Sequence, residues 1–224
     1  MSLIKIYQKL RKAYGKQGWW PTTRNGKTSY YGGPINDKER LEVCIGAILT
    51  QNTSWKNAEK AIRNMHAHNL VNIEKISKIE RNKLAKIIRS SGFHNQKSER
   101  LKIFCSYIMK NYGSLKRFFV KDAVDLRKEL LLLKGIGLET ADSIMLYAAD
   151  KPVFVIDSYT RRIFSALGFL DANATYDEWQ QLFEKSLRLD KELFKEYHAL
   201  IVEHAKRMRN GDAIELKNQY ARPM

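Results

Sequence analysis

The sequence predicts an all-α protein, and three observations carry that expectation. Apolar residues recur three and four positions apart along most of the 224-residue chain. Short glycine-bearing stretches, "SGF" at 91–93, "YGS" at 112–114 and "GIG" at 135–137, punctuate those runs. Strand character is confined to "PVFVID" at 152–157, and six residues cannot build a sheet alone, so this stretch is expected to be an extended connector.

Taken in order, Ile4, Ile6, Tyr7, Leu10, Ala13 and Tyr14 give a first helix that Gly15 ends. Residues 16–37 read as an aromatic-rich loop containing Pro21 and Pro34. Asp37 is placed to cap the next helix, "KERLEVCIGAIL", whose nearly continuous apolar composition marks it as the buried central one. Further helices fit 54–67, 80–90, 96–111, 122–133, 138–149, 158–168, 175–187 and 190–209. The tail "NGDAIELKNQYARPM" is polar and is expected to be partly disordered.

Charge bounds the partner. Forty Lys and Arg against 24 Asp and Glu leave a net charge of +16, which favours a polyanion, nucleic acid being the commonest. The basic residues are spread along the chain rather than massed on one amphipathic segment, which argues against a membrane surface. No run of 18 apolar residues and no signal-peptide core occurs, so a cytoplasmic protein is expected. Cys44 and Cys105 form no CxxC, zinc spacing or disulfide framework and read as buried thiols. The five histidines, at 66, 68, 94, 198 and 204, show no metal-ligand spacing.

The most informative stretch is "LLLKGIGLETAD" at 131–142. Gly135 and Gly137 permit positive φ and close backbone approach, and the unpaired N–H groups opening the following helix suit an anion. By itself, such a stretch is more readily an ordinary tight turn between helices.

Four motifs in order change that balance: "IGAILTQNTSW", "SGFHNQKSERL", the LxGIG hairpin, and "VFVID" followed by "SYTRRIF". Together they resemble the helix–hairpin–helix DNA glycosylases of the endonuclease III superfamily over roughly residues 37–170, and most closely the 3-methyladenine DNA glycosylase III branch that lacks an iron–sulfur cluster. The resemblance implies a six-helix barrel over 37–149 carrying the hairpin at about 126–149. It implies a second helical domain from 1–36 and 150–224, with a base pocket in the groove between the two. It further implies that the carbonyls of Leu131, Leu133 and Ile136 bind a monovalent cation, K⁺ or Na⁺, beside a DNA phosphate held by the N–H groups of Gly137 and Glu139. The partner is then double-stranded DNA with a damaged base, met by a monomer.

By the same resemblance Asp157 is the catalytic carboxylate, facing the sugar C1′, although a helix cap alone would also account for it. Bifunctional relatives carry a lysine where this chain has Glu139, and a carboxylate cannot form an imine, so a monofunctional enzyme is expected. Ala47 stands where adenine-excising relatives place a glutamate acid, which favours a base that already leaves well, an alkylated purine. Trp20, Pro21 and Trp55 match pocket positions of the branch and would grip a cationic purine, with interdomain packing as the alternative for the tryptophans. Gln51 and Phe93 match the residues that fill the hole left by the flipped base, with a helix end and core packing as their alternatives. Lys97, Arg100, Arg161 and Arg162 are placed for phosphate contacts. No cysteine follows Cys105, so no four-cysteine iron–sulfur loop can form. Two rivals remain: a glycosylase for a neutral lesion, and a non-catalytic helix–hairpin–helix DNA-binding protein.

Overall fold

In the computed structural model, residues 1–216 are described. Twelve α-helices, one 3-10 turn (Arg89–Ser91), one π-helical turn and one two-stranded hairpin make up the regular structure among them, so the protein is all-α. No helix among the described residues is long and apolar enough to cross a membrane. Two compact units emerge: Trp20–Lys151, and Met1–Trp19 with Pro152–Met224, described as far as residue 216.

The first unit opens on strands β1 (Thr22–Arg24) and β2 (Lys27–Ser29), inside the stretch expected to be a loop. Asn25 and Gly26 both take positive φ, 52° and 73°, as the tight hairpin turn requires. Helix α2 (Asp37–Leu49) follows; its cap is Asn36, one residue before the expected Asp37, and Asn36 Oδ1 accepts the Glu39 N–H at 2.9 Å. Buried Glu39 and Glu42 need donors, and the hairpin supplies them: Thr22 Oγ1 to Glu39 at 3.0 Å, the Thr23 N–H to Glu42 at 2.8 Å, and Arg24 to Glu39 at 2.9 Å. Those bonds tie residues 20–36 to α2, whereas the sequence reading grouped all of 1–36 with the C-terminal segment.

Helices α3 (Trp55–Ala67), α4 (Ile73–Lys78), α5 (Arg81–Ile87), α6 (His94–Asn111), α7 (Leu115–Phe119), α8 (Ala123–Leu132) and α9 (Leu138–Ser143) complete this unit. Helix α9 runs on into a π-helical turn, Ile144–Ala148. Every residue of α2 from Leu41 to Leu49 is buried, and α2 lies against α3, α6, α7, α9 and the π turn.

The second unit contains α1 (Leu3–Tyr14), α10 (Ser158–Ala166), α11 (Tyr176–Ser186) and α12 (Lys191–Asn210). Its core is aromatic: Phe154 stacks on Phe183 at 4.1 Å, with Phe164, Phe194 and Tyr197 edge-on around them. The connector 152–157 forms neither helix nor strand and ends at Asp157 in an extended conformation, and side chains of α11 bond to part of its buried backbone. The Phe154 N–H donates to Glu184 at 2.8 Å, Gln180 donates to the Phe154 carbonyl at 2.8 Å, and the Ile156 N–H donates to the Tyr176 hydroxyl at 3.2 Å. Part of the polar tail is anchored: the Ile214 N–H donates to the Tyr14 hydroxyl at 3.0 Å, and Leu216 is buried. The remainder, 217–224, lies outside the described residues.

Candidate active site

The connector delivers Asp157 to the start of α10. Oδ1 accepts the Thr160 N–H at 2.7 Å and the Thr160 hydroxyl at 2.8 Å, which fills the capping role with one oxygen. Oδ2 faces Nε2 of His198, on α12, at 3.6 Å. Both side chains are buried, each residue 8% exposed. Burial pushes the carboxyl pKa up, but the nearby His198 and the Thr160 donors outweigh it and hold the group below its ordinary value. Asp157 is therefore ionised at neutral pH, and a fixed buried carboxylate of this kind can stabilise a developing cation or take a proton from water.

In the first unit, α8 and α9 form the helix–hairpin–helix. Arg127 donates to both oxygens of buried Asp142, at 2.7 and 3.0 Å, and clamps the two helices together. Ile136 is buried beneath the turn, and its N–H donates to the Leu133 carbonyl at 3.0 Å. Gly135 has φ +85°, which favours glycine, and a Cβ there would sit 2.4 Å from Arg100 Nε and push that side chain aside. Gly137 is exposed and caps α9, with exposed Glu139 in the first turn. Lys134 pairs with Glu99 at 2.7 Å on the surface.

Gln51 is tied to the hairpin. Its amide donates to the Gly135 carbonyl and to the Thr140 hydroxyl, both at 2.9 Å, while its oxygen accepts from Arg100. Arg100, expected at phosphate, thus lies over Gly135 and holds Gln51. Phe93 is 62% exposed and left-handed, with φ 44°, so the core-packing alternative does not apply to it. Because it buries little and strains its backbone, Phe93→Gly is expected to raise stability by up to about 1 kcal/mol, read by urea unfolding.

Lys97 corrects the sequence expectation. It is fully buried, and its ammonium donates to the Leu49 carbonyl at 2.8 Å and the Ser91 carbonyl at 2.6 Å, so it is not available to phosphate. The carbonyls at the end of α2 and in the turn before Phe93 need a donor, and Lys97 is the one in reach. Arg161 stays partly exposed, with one guanidinium nitrogen on the Ala174 carbonyl at 3.1 Å. Arg162 is exposed and stacks over Tyr159 at 5.4 Å.

Trp20, Pro21 and Trp55 gather at α2. Trp20 is 4% exposed and meets Trp55 edge-on at 5.7 Å and Tyr147, of the π turn, at 5.3 Å. Pro21 is buried beside it in sequence, and Trp55 Nε1 donates to the Tyr30 hydroxyl at 3.1 Å. Trp20 lies directly on Gly46, where a Cβ would come within 2.9 Å of the indole. Gly46→Ala gains about 1 kcal/mol of helix propensity but forces overpacking worth about 1–3 kcal/mol. The expected outcome is a net loss near 1 kcal/mol in urea unfolding, with a shifted tryptophan emission.

A family model described as HhH-GPD superfamily base excision DNA repair protein matches residues 45–189, from within α2 to just past α11. The chain belongs to this superfamily. A Methanocaldococcus jannaschii protein assigned to the DNA repair glycosylases is 47% identical over 92% of this chain and 87% of its own length. Endonuclease III of Thermotoga maritima is 30% identical over 70% of each chain. Among solved structures, the Helicobacter pylori 3-methyladenine DNA glycosylase bound to 1,N6-ethenoadenine is 30% identical, with a TM-score of 0.78, covering 96% of this chain and 100% of that one. The HhH-GPD match spans Asp157, the hairpin, Gln51, Phe93 and Gly46, but begins after Trp20 and Pro21.

Several residues of these clusters escaped the sequence reading. His198 approaches Asp157 only through the packing of α12 on α10, and nothing in its spacing marks it. Tyr147 owes its place on Trp20 to the π turn, which periodicity does not reveal. Gly46 had a signal, a lone glycine inside an apolar helix, which often marks a close approach.

Proposed function

We propose that the protein is a monofunctional DNA glycosylase that hydrolyses the N-glycosidic bond of alkylated purines of the 3-methyladenine type, flipped from duplex DNA, and leaves an abasic site. The observation that carries this is an ionised, buried Asp157 in a chain that has Glu139, not lysine, just past the hairpin. As the bond from C1′ to the base nitrogen breaks, its electron pair leaves with the base and positive charge grows on the sugar. The Asp157 carboxylate stabilises that charge and takes a proton from the water whose oxygen bonds to C1′. Without an amine at 139 there is no Schiff base and no lyase step.

Buried Ala47 provides no acid to protonate the leaving base, which favours a purine already carrying positive charge that departs neutral. The Trp20, Pro21 and Trp55 cluster suits such a base through stacking and cation–π attraction, and Glu139 is assigned to the same base pocket. The 3-methyladenine activity of the Helicobacter pylori neighbour points the same way.

For DNA, Gly135 and Gly137 with Arg161 take backbone phosphate, while Gln51 and exposed Phe93 enter the space the base vacates. The carbonyls of Leu131, Leu133 and Ile136 would hold K⁺ or Na⁺ at the hairpin. An all-oxygen neutral donor set suits such an ion, and the Leu133 oxygen, already accepting from Ile136, keeps a second lone pair. The enzyme acts as a monomer in the cytoplasm.

A panel of duplexes, each with one defined lesion, tests the substrate. Release of 3-methyladenine well ahead of uracil, mismatched thymine and hypoxanthine is expected. Preference for a neutral base would replace the assignment, and binding without any release would point to a non-catalytic protein.

A further inference from the structure

We infer that His198 is a positioning residue for Asp157, fixing the direction in which the carboxylate presents its free oxygen. The inference rests on Asp157 being the carboxylate of the proposed reaction. Thr160 pins Oδ1 with two bonds of 2.7 and 2.8 Å. One pinned oxygen leaves the carboxylate plane undetermined, because the terminal torsion of aspartate is broad. A second contact is needed to set it, and the side chain facing Oδ2 is His198, at 3.6 Å.

That distance lies within ion-pair range but beyond a hydrogen bond. The imidazole nitrogen therefore orients Oδ2 by electrostatic attraction, which a ring without nitrogen would lack, and leaves its lone pairs open to a water or to a positively charged sugar. The two contacts come from different helices, α10 and α12, so the carboxylate plane reports how those helices pack. Helix α12 is firmly seated there: Tyr197, next in sequence, is fully buried and donates its hydroxyl to the Leu3 carbonyl at 2.8 Å. The helix that carries His198 is thus held, through Tyr197, by the same aromatic core that contains Phe154 of the connector leading to Asp157.

The test uses the full chain with His198→Phe, which keeps a ring but no nitrogen, and His198→Gln, which keeps a nitrogen donor. Single-turnover base release is measured with saturating enzyme, alongside affinity for a duplex bearing an uncleavable abasic-site analogue. The expected result is a roughly 10- to 100-fold slower release for the Phe variant, affinity within about twofold, and recovery of most of the rate by Gln. Unchanged release by the Phe variant, equal losses in both variants, or a loss confined to affinity would overturn the inference.

A second measurement needs no activity. The imidazole ¹⁵N resonances of His198 in the free protein should move when Asp157 becomes Asn. Unmoved resonances would overturn the contact even where the Phe variant does not fold. An Asp157→Asn variant that releases base at the wild-type rate would instead overturn the proposed function, which separates the two failures.

Discussion

Asp157→Asn is expected to slow base release about 1,000-fold while leaving the fold intact. Asparagine caps helices about as well as aspartate, and its amide oxygen can accept from the Thr160 N–H and hydroxyl as Oδ1 does now. What disappears, on the proposed mechanism, is the negative charge opposite the sugar and the acceptor for a water proton, together worth about 4 kcal/mol of barrier. The carboxyl pKa is held below its ordinary value in the fold, so its linked stability is fully present above the unfolded pKa and is lost as pH falls through the folded one. The variant should therefore melt somewhat below wild type at pH 7 while still folding cooperatively, and the gap should close as pH falls below about 4. Single-turnover kinetics and melting curves at both pH values check this. A variant that keeps even a tenth of the rate would remove Asp157 from the chemistry.

The second large effect is on stability. Lys97→Met is expected to destabilise the protein by about 3 kcal/mol, because two buried carbonyls lose a charge-assisted donor. Methionine fills much of the same volume, so packing loss is minor. The carbonyls belong to Leu49, at the end of α2, and Ser91, just before Phe93, so both loops flanking the proposed wedge should loosen. Burial, helped by the positive charge of Arg100, pushes the Lys97 amine down to about 8 from 10.5. Below about pH 8 folded and unfolded chains both carry the proton. Between 8 and 10.5 the unfolded chain binds it and the folded chain does not, so stability rises with pH there in wild type and not in the Met variant. Urea unfolding across that window measures both effects. The salt dependence of DNA binding should keep its slope, since a buried ammonium neutralises no phosphate; a shallower slope would return Lys97 to the DNA face.

Much of the fold was legible because most helices are long enough to show their period. Helices α2, α3, α6, α8, α10, α11 and α12 all lie close to their expected spans. Helices α4 and α7, of six and five residues, are too short for periodicity to register, although Asn72 and Ser114 cap them as such residues do. The β1–β2 hairpin did have a signal, Asn25-Gly26, hidden in a stretch whose glycines and prolines suggested only a loop.

The site was legible where local chemistry decides it. Asp157 as cap and the positive φ of Gly135 follow from neighbours in sequence, whereas Gly137, expected to share it, has φ −93° and open space where a Cβ would stand. His198, Tyr147 and the hold of Arg100 on Gln51 depend on which helices meet, and no local pattern encodes that. Lys97 shows the opposite failure. A lysine beside an exposed loop residue reads as a surface charge, yet the carbonyls left at a helix end drew it inside.

One measurement bears most directly on an Asp157-dependent hydrolysis that stops at the abasic site. A duplex with a single 3-methyladenine is incubated with the protein, and the products are resolved before alkali, after alkali, and after borohydride. Free base with strand breaks only after alkali, and no trapped covalent complex, is the predicted result. Breaks without alkali, or a borohydride-trapped protein–DNA adduct, would contradict it.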